Sequence, residues 1–334
     1  MIQNKLLQEP DFLIPYPIRF WVYLFSLIPS LACSIFVLYH LLIDKVLHNA
    51  LNNHVIIVLL LNNLVYQLID IPLSLSFYHL GNVWPASPIL CLFWMFIDET
   101  LFSLSLILVG GASIQRHILI FHKQWLSTNK KRIFIHYLPI GVLCFYCIVF
   151  HFITILFPPC QNRFNYNMSV CGYPLCYYDI RPMLVWDIAI NKMLPTLTIV
   201  VFSIALLVRV LLQRRRIHQH IQWRKHKKMT IQLLAIVMLY FFLYIPFMII
   251  ELIQSCCIPV NFGVNYEVFG EFFSYYVMFL FPFVNVLSLP NYKGKIKDAF
   301  SFCHRQIRTI ISVLLPLKYF DALKSNAVAP IPQP

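Results

Sequence analysis

Charge is scarce in this sequence: Asp, Glu, Lys and Arg make up 12% of the 334 residues, while apolar types make up 60%. A soluble globular domain carries roughly 25% charged residues, and a mean hydropathy of +0.72 lies far outside that class, so the chain needs lipid. Glycine is also scarce, at eight residues, and no phosphate-binding glycine loop, nucleophile triad or metal-ligand spacing stands out. The sequence is therefore read as neither an enzyme nor a metalloprotein. A cleavable leader is not expected either. Lys5 is followed by Pro10 and Asp11, and the first apolar run exceeds a signal-peptide core and lacks a small-residue cleavage site. Internal repeats are missing, as is the inverted pair of broken helices that marks many secondary transporters.

What the chain does have is seven apolar stretches: Phe20–Ile43, His54–His79, Cys91–Phe121, Ile133–Phe157, Leu184–Leu212, Met229–Gln254 and Val268–Tyr292. At about 1.5 Å per residue each can cross a hydrocarbon layer of about 30 Å. None alternates like a barrel strand, so the backbone must satisfy itself as helix. The sequence thus predicts an all-α bundle of seven transmembrane helices, with residues 1–19 before it and 293–334 after it. The net charge of +13 is distributed between the spans rather than along one polar face, which disfavours a nucleic-acid partner. Of the 26 Lys and Arg, 21 fall on the side holding the first, third and fifth connections and the C-terminal segment. Positive residues stay in the cytoplasm during insertion, which places the N-terminus outside and the C-terminus inside, in the plasma membrane. Asn167-Met168-Ser169, the one N-glycosylation sequon, lies in the external connection between spans 4 and 5.

Polar groups within spans cost energy and so mark function. Here they are Asp70, Asp98, Glu99, Asp187, Lys192, Glu251 and Asn285, with Arg116 at an inner boundary. Asp98, Phe102, Ser105, Val109, Ala112 and Arg116 follow steps of three and four and share one face of span 3. Asp98 and Arg116 stand about 27 Å apart along it. Arg116 is either a cation anchored in phosphates or a docking residue. Asp98 is either a bundle acid paired with Lys192 or nearby hydroxyls, or a ligand anchor. Asp70 is expected to face Ser105 and Asn285, as a neutral acid or holding a small cation such as sodium.

Several further distances are fixed. Trp84 stands seven residues before Cys91, and Cys91 stands 25 before Arg116. Proline recurs at Pro195, Pro246 and Pro290, with Asn285 five before the last and Phe300 ten after it. In these positions the chain resembles the rhodopsin-like G-protein-coupled receptors, from span 2 to the helix after span 7. The resemblance implies kinks at Pro195, Pro246 and Pro290, a sodium pocket at Asp70 and Ser105, and a short amphipathic helix on the cytoplasmic surface. Cys303 follows Ile296 and Phe300 at helical spacing and is a palmitoylation candidate there. The chain also departs from the family. Its span 3 triplet is Gln115-Arg116-His117, Tyr244 replaces the span 6 Trp, and span 7 reads Leu289-Pro290-Asn291-Tyr292-Lys293.

The resemblance implies an external ligand, an outward movement of span 6 about Pro246, and a heterotrimeric G protein docking beside Arg116, Gln115, His117 and His226. Because neither Gln115 nor His226 is acidic, the resting clamp on Arg116 is expected to be weak and basal activity measurable, with Gln115→Glu lowering it. Asp98 stands 18 before Arg116, where amine and several peptide receptors of the family hold a ligand cation. With Glu99, Asp187 and Glu251 it gives an acidic mouth suited to an amine or cationic peptide, and Tyr240 and Tyr244 are placed to floor it. The family's disulfide implies that Cys91 pairs with Cys160, Cys171 or Cys176. Cys176, nearest span 5, is preferred, which leaves Cys160–Cys171. Retinal is excluded, since no Lys lies between Lys228 and Lys293 to form the Schiff base. An intramembrane metallohydrolase is disfavoured because His151 is the only mid-span His. A cation-linked transporter or channel is the alternative class, using Asp70 and the Asp98/Glu99 pair.

Overall fold

The computed structural model describes residues 14–121, 123–126, 128–172, 175–216, 232, 234–256, 264–289, 294, 295, 297 and 301. Among the described residues the chain is helical with no β-strand. Helix α1 spans Tyr16–Ile43, α2 Leu51–Leu80 and α3 Pro88–Phe121. Helix α4, Leu138–His151, is extended at both ends by π-helical turns, Ile133–Tyr137 and Phe152–Leu156. Helix α5 begins as Arg181–Trp186, widens into a π-helical stretch over Asp187–Met193 and continues as Leu194–Arg216. Helix α6 is bent by 41° between Leu234–Leu243 and Ile245–Ile253, and α7 is Val264–Ser288.

Six of these helices are long and apolar enough to cross a membrane by themselves, and the bent α6 makes seven. The bend has a local cause. Pro246 has no N–H to return to Phe242, and its ring crowds that turn, so the helix bends around Tyr244 while Tyr244 keeps its own backbone bonds to Tyr240 and Met248. The sequence extends span 7 to Tyr292, but α7 stops at Ser288. Residues just before a proline are driven from the helical region, and Pro290 itself lies outside the described residues. Residues 288–334 form a separate unit in which 294, 295, 297 and 301 are helical, and the Ser301 hydroxyl donates to the Lys297 carbonyl one turn earlier at 2.8 Å. Phe300 and Cys303 lie outside the described residues.

Helix α3 is the centre of the bundle, packed against α2, α4 and α5. Its apolar window is 67% buried, against 22% for α4 and 28% for α1, so the latter two turn most of their surface outward. Phe25, Phe145 and Val201 are among the large apolar side chains so exposed, a belt that suits acyl chains and would aggregate in water. Of the predicted α3 stripe, Asp98, Ser105, Val109, Ala112 and Arg116 are buried and Phe102 is half-buried. Two close approaches set the spacing of the helices. A Cβ on Gly110 of α3 would meet the Pro195 carbonyl oxygen of α5 at 3.3 Å, and one on Gly270 of α7 would meet the Phe247 Cβ of α6 at 2.9 Å. Gly270→Val is therefore expected to lower stability by about 1–3 kcal/mol, seen as faster thermal inactivation in detergent, with Gly270→Ala intermediate.

Candidate functional site

The outer half of the bundle gathers charge from three helices. Asp98 of α3 accepts hydrogen bonds from the Tyr66 hydroxyl of α2 at 2.7 Å and the Tyr275 hydroxyl of α7 at 3.4 Å. Of the partners open to it in the sequence, it takes hydroxyls rather than Lys192. The two tyrosine rings lie 5.9 Å apart, so the carboxylate sits at an aromatic junction of three helices. One residue on, Glu99 faces α5. It accepts from the Tyr178 hydroxyl at 3.2 Å and lies 3.9 Å from the Lys192 ammonium. Lys192 also makes a 2.7 Å ion pair with Glu251 of α6 and lies 6.0 Å over the Tyr178 ring. Asp187 is fully buried, held by the Asn191 amide at 2.7 Å and the Tyr177 hydroxyl at 3.4 Å.

Lys192 thus ties α5 to α6 and α3 through carboxylates in a low-dielectric setting. Removing one partner of such a pair leaves a buried charge uncompensated, at a cost of about 3–5 kcal/mol, while replacing both restores much of it. Lys192→Met is accordingly expected to shorten thermal lifetime sharply, and adding Glu251→Leu to recover part of the loss in a double-mutant cycle. Tyr177 and Tyr178 belong to the connection before α5. Burial, followed for Tyr178 by the neighbouring Glu99 charge, raises both hydroxyls well above the usual phenol range. Both stay protonated and act as donors to the carboxylates. Tyr244 is fully buried at the α6 bend, its ring 5.0 Å from Phe102 of α3 and 6.4 Å from Tyr240.

The expected pocket of Asp70, Ser105 and Asn285 does not form: Tyr66, one turn before Asp70 on α2, already reaches Asp98, so Asp70 lies on the outer side of Asp98, and it is Asn62, two turns deeper, that meets Ser105. Asp70 accepts from the Trp94 indole at 2.8 Å, Ser105 accepts from the Asn62 amide at 2.8 Å, and Asn285 accepts from Gln232. At the inner end, Arg116 Nη2 donates to the Gln232 side-chain oxygen of α6 at 3.5 Å, and Gln232 in turn donates to Asn285 of α7. A chain of polar groups therefore joins α3, α6 and α7. Gln232 was missed in the sequence, because a glutamine near the end of an apolar span reads as a boundary residue. Gln115 turns the other way and donates to the His136 carbonyl at 3.1 Å. The His117 ring packs 5.9 Å from Phe202 of α5. His226 lies outside the described residues.

The disulfide pairing requires a correction. The bridges are Cys91–Cys171 and Cys160–Cys176, not Cys91–Cys176. Nearness to span 5 in sequence is a poor guide, because the loop doubles back. Ser169–Gly172 forms a tight turn with Val170, Cys171 and Gly172 at φ of 45°, 57° and 77°, which buries Cys171 beside Cys91. The backbone N–H of Cys176 is held by the Asn162 side chain, which keeps it near Cys160. Left-handed φ at a β-branched residue is not a conformation that composition announces. Asn167 is exposed in the same loop.

A family model described as 7 transmembrane receptor (rhodopsin family) matches residues 34–287, most of the chain. No curated protein matches it.

Proposed function

Because the chain belongs to the rhodopsin family of seven-transmembrane receptors, we propose that it binds an extracellular cation, an amine or a basic peptide, at Asp98 and passes the signal to a G protein at Arg116. The observation that carries this reading is the buried face of α3, which has an acid among aromatics at one end and an arginine bridged to α6 and α7 at the other. The charge balance outside supports a cationic ligand. Among the described residues of the outer half, Asp98, Glu99, Asp187 and Glu251 outnumber the buried cations Lys192 and Arg19, and Glu251 already engages Lys192. Tyr66 and Tyr275 border the Asp98 carboxylate, and their faces suit an ammonium or guanidinium group.

In this reading the N-terminus is extracellular, residues 20–292 form the receptor domain in the plasma membrane, and 293–334 are cytoplasmic. Asn167 carries the glycan, and Asp70 with Trp94 supports the α2–α3 contact. The ligand acts by favouring an arrangement in which α6 swings about Pro246 and Gln232 leaves Arg116, exposing it with His117 to the G protein. The experiment is a screen of amines and peptides against cells expressing the receptor, read by a panel of G-protein activation sensors. A response to cationic ligands supports the reading. A receptor that responds to neutral or anionic ligands alone refutes the cationic half of it.

A further inference from the structure

One cluster in the outer half shares Glu99 and Asp187 with the acidic mouth and adds a histidine from a third helix. Glu99 of α3, His151 of α4 and Asp187 of α5 are all buried, and one ligand atom from each lies within 4.8 Å of the other two. The histidine is oriented with care. Its Nδ1 lies 2.9 Å from the Cys147 carbonyl, an atom that only accepts, so Nδ1 carries the proton. That leaves a lone pair on Nε2, which has no hydrogen-bond partner and points at the Asp187 Oδ1, 3.8 Å away. Two lone pairs facing each other in a dry interior repel unless a cation stands between them.

We propose that Glu99, His151 and Asp187 form a binding site for a divalent transition-metal ion of the zinc type. The donor set suits it: one imidazole and two carboxylates leave a fourth tetrahedral position for water. Closing from the observed spacing to metal bonds of about 2.0–2.2 Å asks each side chain to move by less than about 1 Å. The supports outside the ligands are present as well. The Cys147 carbonyl fixes the imidazole tautomer, the Asn191 amide and Tyr177 hydroxyl hold Asp187, and Tyr178 holds Glu99. Charge also favours occupation. Glu99, Asp187 and Glu251 outnumber Lys192 by two negative charges, which a divalent ion offsets. The ion would pin α3, α4 and α5 together beside the ligand-binding acid. A bound ion would neutralise Glu99 and Asp187, leaving Asp98 with the tyrosines around it as the acid open to the receptor's cationic ligand.

The test uses the untagged full-length chain in detergent, stripped with a chelator and dialysed against zinc chloride, with bound metal measured by mass spectrometry. One zinc per chain is expected, with a rise in thermal midpoint as zinc is added. Cobalt(II) added to the same wild-type protein is expected to show the visible d–d absorption of a four-coordinate site, a result that needs no variant to fold. His151→Ala and Asp187→Asn are each expected to weaken zinc binding by about 100-fold or more, with His136→Gln, at the opposite end of α4, leaving it unchanged. Wild-type protein that holds no zinc above a detergent blank overturns the proposal. Wild-type affinity in His151→Ala also overturns it, since the metal then sits elsewhere.

Discussion

Asp98→Asn is expected to lower the potency of a cationic agonist by about 100-fold, with little loss of folded receptor at the surface. The size follows from the setting. Two unit charges about 4 Å apart at an effective dielectric constant near 20 attract by about 4 kcal/mol, and desolvating the ligand cation returns part of this, leaving about 2.7 kcal/mol. The fold should tolerate the change, because the Asn carbonyl can still accept from the Tyr66 and Tyr275 hydroxyls that bond Asp98 Oδ1. Tyr66→Phe and Tyr275→Phe, which keep the rings and the charge, are expected to shift potency by less than about 10-fold. Competition binding together with dose–response curves separates lost affinity from lost expression. An unchanged Asp98→Asn curve would remove Asp98 from the ligand site.

The second large effect is expected at the inner end. Gln232→Glu should lower ligand-independent signalling by about 5- to 10-fold, and Gln232→Ala should raise it. The Arg116–Gln232 contact at 3.5 Å is a long hydrogen bond to a neutral amide. Replacing the amide by a carboxylate makes it charge-assisted, worth about 1–1.5 kcal/mol more in favour of the closed arrangement. Turning the Asn285 nitrogen toward the new carboxylate would cost its bond to the Phe281 carbonyl, which limits the gain. Gln115→Glu is expected to have the smaller effect, since Gln115 points to the His136 carbonyl and its new charge would not face Arg116. Basal nucleotide exchange at matched receptor density is the measurement, and equal rates in wild type and Gln232→Glu would show that this contact does not hold the resting state.

How far the sequence reached differs from one residue to the next. The spans were legible because hydrocarbon tolerates so little charge, and the α3 stripe was legible because 3.6-residue periodicity fixes a face over any length of regular helix. Asp98 and Arg116 therefore landed where the spacing put them. Where the helix is irregular, that logic fails. Asp187 opens a π-helical stretch and His151 immediately precedes another, so ordinary helical spacing misplaces the directions in which both side chains project, and their meeting with Glu99 could not be read. The Cys171 pairing depended on a left-handed turn at Val170, and the Gln232 bridge on a side chain reaching across from another helix. Neither carries a local sequence pattern.

The most direct test of transduction along α3 is nucleotide exchange by a purified G protein on the receptor reconstituted in nanodiscs. A cationic agonist should accelerate exchange on wild type. Asp98→Asn should fail through lost binding, and Arg116→Ala should bind the agonist normally yet leave exchange at its basal rate. Agonist-driven ion flux in proteoliposomes, with no acceleration of exchange by any G protein in the panel, would contradict the receptor mechanism and identify a transporter or channel instead.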